Sequence, residues 1–173
     1  KIVESIEWVN TLKDDENIGK TAEKGKSNFV GPEIEGKKLG VIGLGAIGVL
    51  VANAANKLGM EVYGYDPFMS VNSAWALSKH VRKAKDMDEI FKTCDYITVH
   101  VPSTKDTKGM LNKEKFALMK DGARLLNFAR GDLVVNEDLL EAVETGKLSK
   151  YITDLAAQEF IGKDNIIVLP HLG

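Results

Sequence analysis

A single cysteine, Cys94, stands among the 173 residues. No internal disulfide is therefore available, and packing and hydrogen bonding must hold the fold, as suits a reducing cytoplasm. Basic charge is not in excess: 23 Lys and Arg against 25 Asp and Glu give a formal charge of −2. That leaves no basic face for nucleic acid and no polybasic segment for an anionic membrane. No spacing of His, Cys, Asp and Glu matches a metal site, and no internal repeat is visible. Charge is missing altogether from Leu39 to Asn56, which superficially suggests a membrane span. Four glycines and two asparagines interrupt that stretch, and charged residues flank it closely, so a buried strand and helix explain it better. A hydrophobic content of 44% suffices for one well-packed domain, and two full domains would be a squeeze. The opening KIVESIEWVNTLKDD is amphipathic and unlike a signal peptide, and because it begins at Lys1 it reads as a cut in a longer chain.

What is present is a glycine fingerprint. Gly43, Gly45 and Gly48 follow the apolar strand Leu39, Val41 and Ile42. In this arrangement Gly43 permits the tight turn, Gly45 lets a pyrophosphate approach the backbone, and Gly48 lets a helix lie against the sheet. The helix starting near Ala46 aims free N–H groups and the positive end of its dipole at the phosphates. Its apolar face is expected to run through Ile47, Leu50, Val51, Ala54 and Leu58, with Gly59 stopping it. A second strand, Glu61 to Tyr65, ends at Asp66. A carboxylate there accepts the ribose hydroxyls and repels a 2′-phosphate, so NAD is favoured over NADP.

Downstream the pattern alternates. Short helices are expected over 73–78, 87–93 and 112–119, and strands over 80–83, 95–101 and 124–128. A helix over 136–145, capped by Asn136 and ended by Gly146, precedes strands over 151–155 and 166–169. Residues 14–38 read as a loop, and Trp8 and Trp75 as packing residues. Such alternation predicts an α/β, Rossmann-type, doubly wound and mostly parallel sheet with helices on both faces.

In such a sheet the ligand lies outside the carboxyl ends of the strands. The residues delivered there are the glycine loop, Asp66, Val101 with Pro102 and Ser103, Ala129 with Arg130 and Gly131, Asp154 with the segment to Glu159, and His171. Arg130 presents a planar fork suited to a carboxylate. His171 can exchange a proton with a hydroxyl, and Glu159 can hold the far ring nitrogen and fix the tautomer. Singly, each has a plainer reading: a loop salt bridge, a satisfied strand-end histidine, a solvated helix end. Their joint placement favours a site. His100 reads as structural, and Cys94 as a small buried apolar residue.

These residues bring the chain close to a known family. GKKLGVIGLGAIG, YGYDP, CDYITVHVP, LLNFARGDLVVNEDLLEAVETGKL and VLPHLG together resemble the cofactor domain of the D-isomer-specific 2-hydroxyacid dehydrogenases, within them the branch acting on 3-phosphoglycerate. The resemblance spans nearly the whole chain. It implies an NAD-dependent enzyme in which Arg130 binds the substrate carboxylate, His171 is acid and base, and Glu159 orients it. It further implies that Gly43, Gly45, Ala46, Ile47, Gly48, Asp66, Val101, Pro102, Phe128, Ala129, Arg130, Asp154 and His171 lie around NAD, with Asp154 near the nicotinamide amide. A small carboxylate substrate and a homodimer formed through this domain are implied as well, with no nucleic acid and no membrane partner. Three departures stand out. Ala46 replaces the arginine many relatives carry after the second glycine, the segment from Asp154 to His171 is short, and the substrate domain, which flanks this one in the family, is expected to be missing from 1–173. Other hydroxy acids, an NAD-sensing corepressor and a nucleotide-sensing domain of a transporter are the competing expectations.

Overall fold

The computed structural model describes residues 1–172 and divides the chain into two compact units, Lys1–Glu33 and Ile34–Gly173. In the first, helices α1 (Ile2–Thr11) and α2 (Ile18–Gly25) lead into a 3₁₀ turn, Lys26–Phe29. Residues 14–38 are therefore not all loop: Lys, Glu and Ala are good helix formers, and Asp15 organises the turn before α2. Its Oδ2 accepts from Thr21 Oγ1 at 2.6 Å and its Oδ1 from the Asn17 N–H at 2.7 Å. Trp8 packs as expected, its ring 5.2 Å from that of Phe29.

The second unit holds seven parallel strands in the order β3-β2-β1-β4-β5-β6-β7. They are β1 (Lys38–Ile42), β2 (Glu61–Tyr65), β3 (Arg82–Lys83), β4 (Tyr96–Val99), β5 (Ala123–Asn127), β6 (Leu148–Thr153) and β7 (Ile166–Val168). Helices α3 (Ala46–Lys57), α4 (Val71–Ala76), α5 (Met87–Thr93), α6 (Lys113–Leu118) and α7 (Asn136–Glu144) connect them. This is the doubly wound sheet the alternation predicts. None of the helices among the described residues is long and apolar enough to cross a membrane.

Register sets up the site. Tyr65 pairs with Ile42, Ile42 with Val99, Val99 with Asn127, Asn127 with Thr153, and Thr153 with Val168. Six strand ends thus fall on one edge, and the order reverses between β1 and β4, the switch point where such sheets open a crevice. Two apolar clusters support the sheet. One gathers Ile90, Phe91, Ile97, Leu125, Leu139 and Tyr151; the other gathers Leu39, Val41, Val49, Ala52 and Val62.

Three local expectations fail. The buried face of α3 is Gly48, Val49, Ala52 and Ala55, while Ile47, Leu50 and Leu58 are exposed. Close approach of helix to strand selects the small residues, and the helix is apolar on nearly every side, so periodicity could not choose. Trp75 is exposed on α4 and packs nothing. Asn136 does not cap α7, because Val135 occupies the cap and the Asn136 amide is used elsewhere.

Candidate active site

The turn out of β1 is built by glycine. Gly43 has φ +93°, and a Cβ there would stand 2.6 Å from the His100 carbonyl oxygen and 2.9 Å from the Val101 side chain. A Cβ on Gly48 would stand 1.9 Å from the Gly43 carbonyl oxygen, so helix and loop touch backbone to backbone. At Gly45 the added atom would meet nothing within 4 Å. That open side faces no protein, and Gly45 caps α3 without a side-chain hydrogen bond, leaving the first N–H groups of a twelve-residue helix for an anion. Ala46 and Ile47 are exposed on this first turn.

Asp66 is pinned to the same loop. Its Oδ2 accepts from the Leu44 N–H and its Oδ1 from the Phe68 N–H, both at 2.8 Å. Each oxygen keeps a lone pair for a further donor. The residue forms part of the wall of a groove of about 470 Å³ that Leu44, Pro67, Met69, Lys83 and Lys85 also line. A second cavity, about 310 Å³, lies among Lys113, Phe116, Asp138 and Glu141 on α6 and α7, which carry none of the candidate residues.

On the other side of the switch point, Asn127 shapes the loop that bears Arg130. It is fully buried; its Oδ1 accepts from the Ala129 and Arg130 N–H groups at 3.1 and 3.3 Å, and its Nδ2 donates to the Arg130 carbonyl at 2.8 Å. Thr153 Oγ1 donates to the Asn127 carbonyl at 2.7 Å, tying β5 to β6 at the strand ends. Ser103 Oγ donates to Asp132 Oδ2 at 2.5 Å, which fastens the loop after Val101 and Pro102 to the loop after Arg130. Arg130 itself is exposed, donating to the Ala129 carbonyl at 2.6 Å and pairing with no carboxylate among the described residues. Phe128 is 38% exposed at this edge, and Ala129 packs against the core.

His171 Nδ1 lies 2.9 Å from Asp154 Oδ2. The structure does not bring Glu159 to the imidazole. Glu159 sits exposed on a 3₁₀ turn, Gln158–Phe160, and its Oε1 accepts from Asn136 Nδ2 at 2.8 Å. Its own backbone N–H and the Asn136 amide hold that carboxyl below the usual carboxylate range. The ring thus takes a carboxylate, as the sequence reasoning requires, but a different one. Asp154 stands directly after β6, beside the strand end that precedes His171, whereas Glu159, though nearer along the chain, is held by Asn136.

Other ionisable groups are accounted for structurally. His100 Nε2 lies 3.0 Å from Thr98 Oγ1, and burial lowers its pKa. Burial pushes the Cys94 thiol up to about 12, which makes it inert. Among the described residues no three His, Cys, Asp or Glu side chains gather to hold a metal. Sequence reasoning missed Asn127 and Thr153 and gave Asn136 only a capping role; for the first two the signal was there, a polar residue at the end of a buried strand.

The edge fits a dinucleotide. Gly45 is open where a side chain would intrude, the α3 N–H groups are free, and Asp154 Oδ1 is buried without a hydrogen-bond partner, the state of an acceptor that a ligand N–H completes. Residues 5–173 match the family described as D-isomer specific 2-hydroxyacid dehydrogenase, NAD binding domain. The chain is 39% identical over 160 residues to D-3-phosphoglycerate dehydrogenase of Bacillus subtilis, covering 89% of this chain and 30% of that protein. It is 38% identical over 154 residues to D-3-phosphoglycerate dehydrogenase of Synechocystis, covering 86% of this chain and 27% of that protein. D-lactate dehydrogenase from Aquifex aeolicus, solved in complex with NAD and lactic acid, superposes with a TM-score of 0.72 at 31% identity, covering 88% of this chain and 54% of that one. The chain spans less than a third of the length of those two curated relatives. Glycine loop, terminal acid, sheet order and these matches agree: the chain belongs to the D-isomer specific 2-hydroxyacid dehydrogenases, as an NAD-binding domain of that family.

Proposed function

We propose that these residues hold NAD for the oxidation of a D-2-hydroxy acid, with 3-phosphoglycerate, converted to 3-phosphohydroxypyruvate at the entry to serine synthesis, as the first candidate. The names of the curated relatives support that substrate. The observation that carries the reading is the convergence of Gly43–Gly48, Asp66, Arg130, Asp154 and His171 on one sheet edge, set by the register of six strands.

Each residue has a task there. The N–H groups at the start of α3 bind the pyrophosphate, and Asp66 accepts the ribose hydroxyls. Ala46 adds no cation, so backbone donors carry the phosphate contact. Bound NAD supplies the hydride acceptor. Arg130 grips the substrate carboxylate through its planar fork and so fixes which face of the carbon is presented. His171 takes the hydroxyl proton at Nε2, because Nδ1 is engaged by a carboxylate. Val101, Pro102 and Phe128 place apolar surface beside the reacting atoms and exclude water.

The 173 residues act as one NAD-binding domain, bind NAD on their own and do not turn over, since hydride transfer needs the substrate enclosed from water by further protein. A cytoplasmic homodimer belongs to the same proposal; the exposed Ile2, Val3 and Ile6 on α1 supply apolar surface for it, and sedimentation checks it. The central test assays the 173-residue chain and a longer protein containing it with NAD and a panel of D-2-hydroxy acids. NADH should form only with the longer protein, and fastest with 3-phosphoglycerate. Steady NADH production by the 173 residues alone, or indifference of the longer protein to every acid tried, would overturn the proposal.

A further inference from the structure

We infer that the buried amide of Asn127, its orientation set by the Tyr151 hydroxyl, positions Arg130 for the substrate carboxylate. The inference rests on the dehydrogenase reading of this edge. Every position of that amide is taken. Oδ1 accepts from the Ala129 N–H at 3.1 Å and the Arg130 N–H at 3.3 Å, and Nδ2 donates to the Arg130 carbonyl at 2.8 Å and to the Tyr151 hydroxyl at 3.4 Å. An asparagine side chain offers two lone pairs and two N–H groups, so nothing is left over. Asn127 is 0% and Tyr151 1% exposed, so neither side chain is open to a ligand.

No carboxylate among the described residues guides the guanidinium; its Nη1 donates to the Ala129 carbonyl at 2.6 Å, so the loop backbone decides where the fork points. That backbone hangs from Asn127. Two N–H groups on one side of the amide and a carbonyl on the other dictate which end is oxygen, and the tyrosine hydroxyl, accepting the second N–H, holds that choice. Thr153 Oγ1, on the same strand as Tyr151, fixes the Asn127 carbonyl. Aspartate at 127 would set a carboxylate oxygen against the Arg130 carbonyl, acceptor facing acceptor. Phenylalanine at 151 keeps the ring and its edge contact with Phe160 but leaves a buried N–H unpaired. In either case the loop resets and the fork loses its aim, although the arginine itself is intact. A bidentate grip on a carboxylate tolerates little such movement. Asn127 and Tyr151 are accordingly positioning residues for Arg130.

The test reads KM against kcat in a longer protein containing this chain, with NAD saturating and 3-phosphoglycerate, or the D-2-hydroxy acid it oxidises fastest, varied. The arginine contact is made in bound substrate and transition state alike, so its loss raises KM and spares kcat. Asn127→Asp should raise KM about tenfold or more, the scale of a charge-assisted hydrogen bond, and Tyr151→Phe roughly fivefold, that of a neutral one. Calorimetry on the 173-residue chain should find Kd for NAD within about threefold for both variants, since the glycine loop is untouched. In an Arg130→Lys background Tyr151→Phe should add nothing, because both changes remove one interaction. A purely structural role gives the reverse, a lower melting point and lower kcat with KM unmoved, and that result overturns the inference. So does a KM effect that adds in full to that of Arg130→Lys. If Asn127→Asp does not fold, Tyr151→Phe carries the test, and the 173-residue chain supplies a second reading by ¹H–¹⁵N correlation. Tyr151→Phe should shift the Asn127 side-chain NH₂ and Arg130 amide signals and leave Gly43–Gly48 in place; unmoved Asn127 and Arg130 signals overturn the inference as well. A longer protein that oxidises no D-2-hydroxy acid defeats the dehydrogenase reading itself, whereas turnover with an unresponsive KM defeats only the role of Asn127 and Tyr151.

Discussion

Replacing Gly45 by alanine adds one methyl group to the loop between β1 and α3. The backbone there has φ −75° and ψ −161°, which alanine adopts without strain, and the new Cβ would meet nothing within 4 Å. Losing glycine at the helix cap costs a few tenths of a kcal/mol to about 1, and the stiffer unfolded chain returns about 0.4–1. Net stability should therefore move by less than about 1 kcal/mol, or about 2–4 °C in Tm for a chain of this size. The cofactor meets a different situation. The methyl occupies the open side from which a pyrophosphate reaches the backbone N–H groups, and losing one such charge-assisted bond costs about 1.5–3 kcal/mol, roughly a 10–100-fold rise in Kd for NAD. Gly48→Ala is the control. Its Cβ would lie 1.9 Å from the Gly43 carbonyl oxygen, so backbone must move, and overpacking of this kind costs about 1–3 kcal/mol with a drop of about 3–10 °C. Calorimetry and thermal melts on both variants check the pair. Gly45→Ala with unchanged NAD affinity, or with a melting loss like that of Gly48→Ala, would refute the reasoning.

Three further outcomes follow from the same geometry. Asp66→Ser removes the charge that repels a 2′-phosphate in a groove that Lys83 and Lys85 also line, so the preference for NAD over NADP should shrink at least about tenfold in competitive binding; an unchanged ratio would clear Asp66 of that role. Asn127→Ala strips partners from the Ala129 and Arg130 N–H groups and the Arg130 carbonyl, and should cost about 1–3 kcal/mol by urea denaturation. Stability should also fall in alkali. Burial raises the Cys94 thiol from 9.0 to about 12, so the folded chain keeps it neutral while the unfolded chain ionises first. Its contribution is complete below pH 9.0 and is lost as pH rises toward about 12. Cys94→Ala should flatten the urea midpoint over that range.

Much of this edge was legible because its signals are local. Glu61–Tyr65 and Met87–Thr93 form the strand and helix that composition and spacing demand, and the glycines sit where strand meets helix. Helix α2 was hidden because Lys, Glu, Gly and Asn serve helix and loop alike, and what stabilises it is Asp15 reaching Thr21. The buried face of α3 was hidden because nearly every side of that helix is apolar, and the close approach of Gly48 to Gly43 marks the side that packs. The pairing of His171 with Asp154 is a tertiary choice. Two carboxylates lie within reach along the chain, and Asn136, distant in sequence, takes one of them away.

The account's central claim is that NAD lies across the carboxyl edge of this sheet. An amide ¹H–¹⁵N titration of the 173-residue chain with NAD tests it most directly. Saturable shifts should appear at Gly43–Gly48, at Asp66 to Phe68, at Ala129 to Gly131 and at Asp154, with α6 and α7 silent. Shifts that fail to saturate, or that gather around Lys113, Phe116 and Glu141 on α6 and α7, would contradict it.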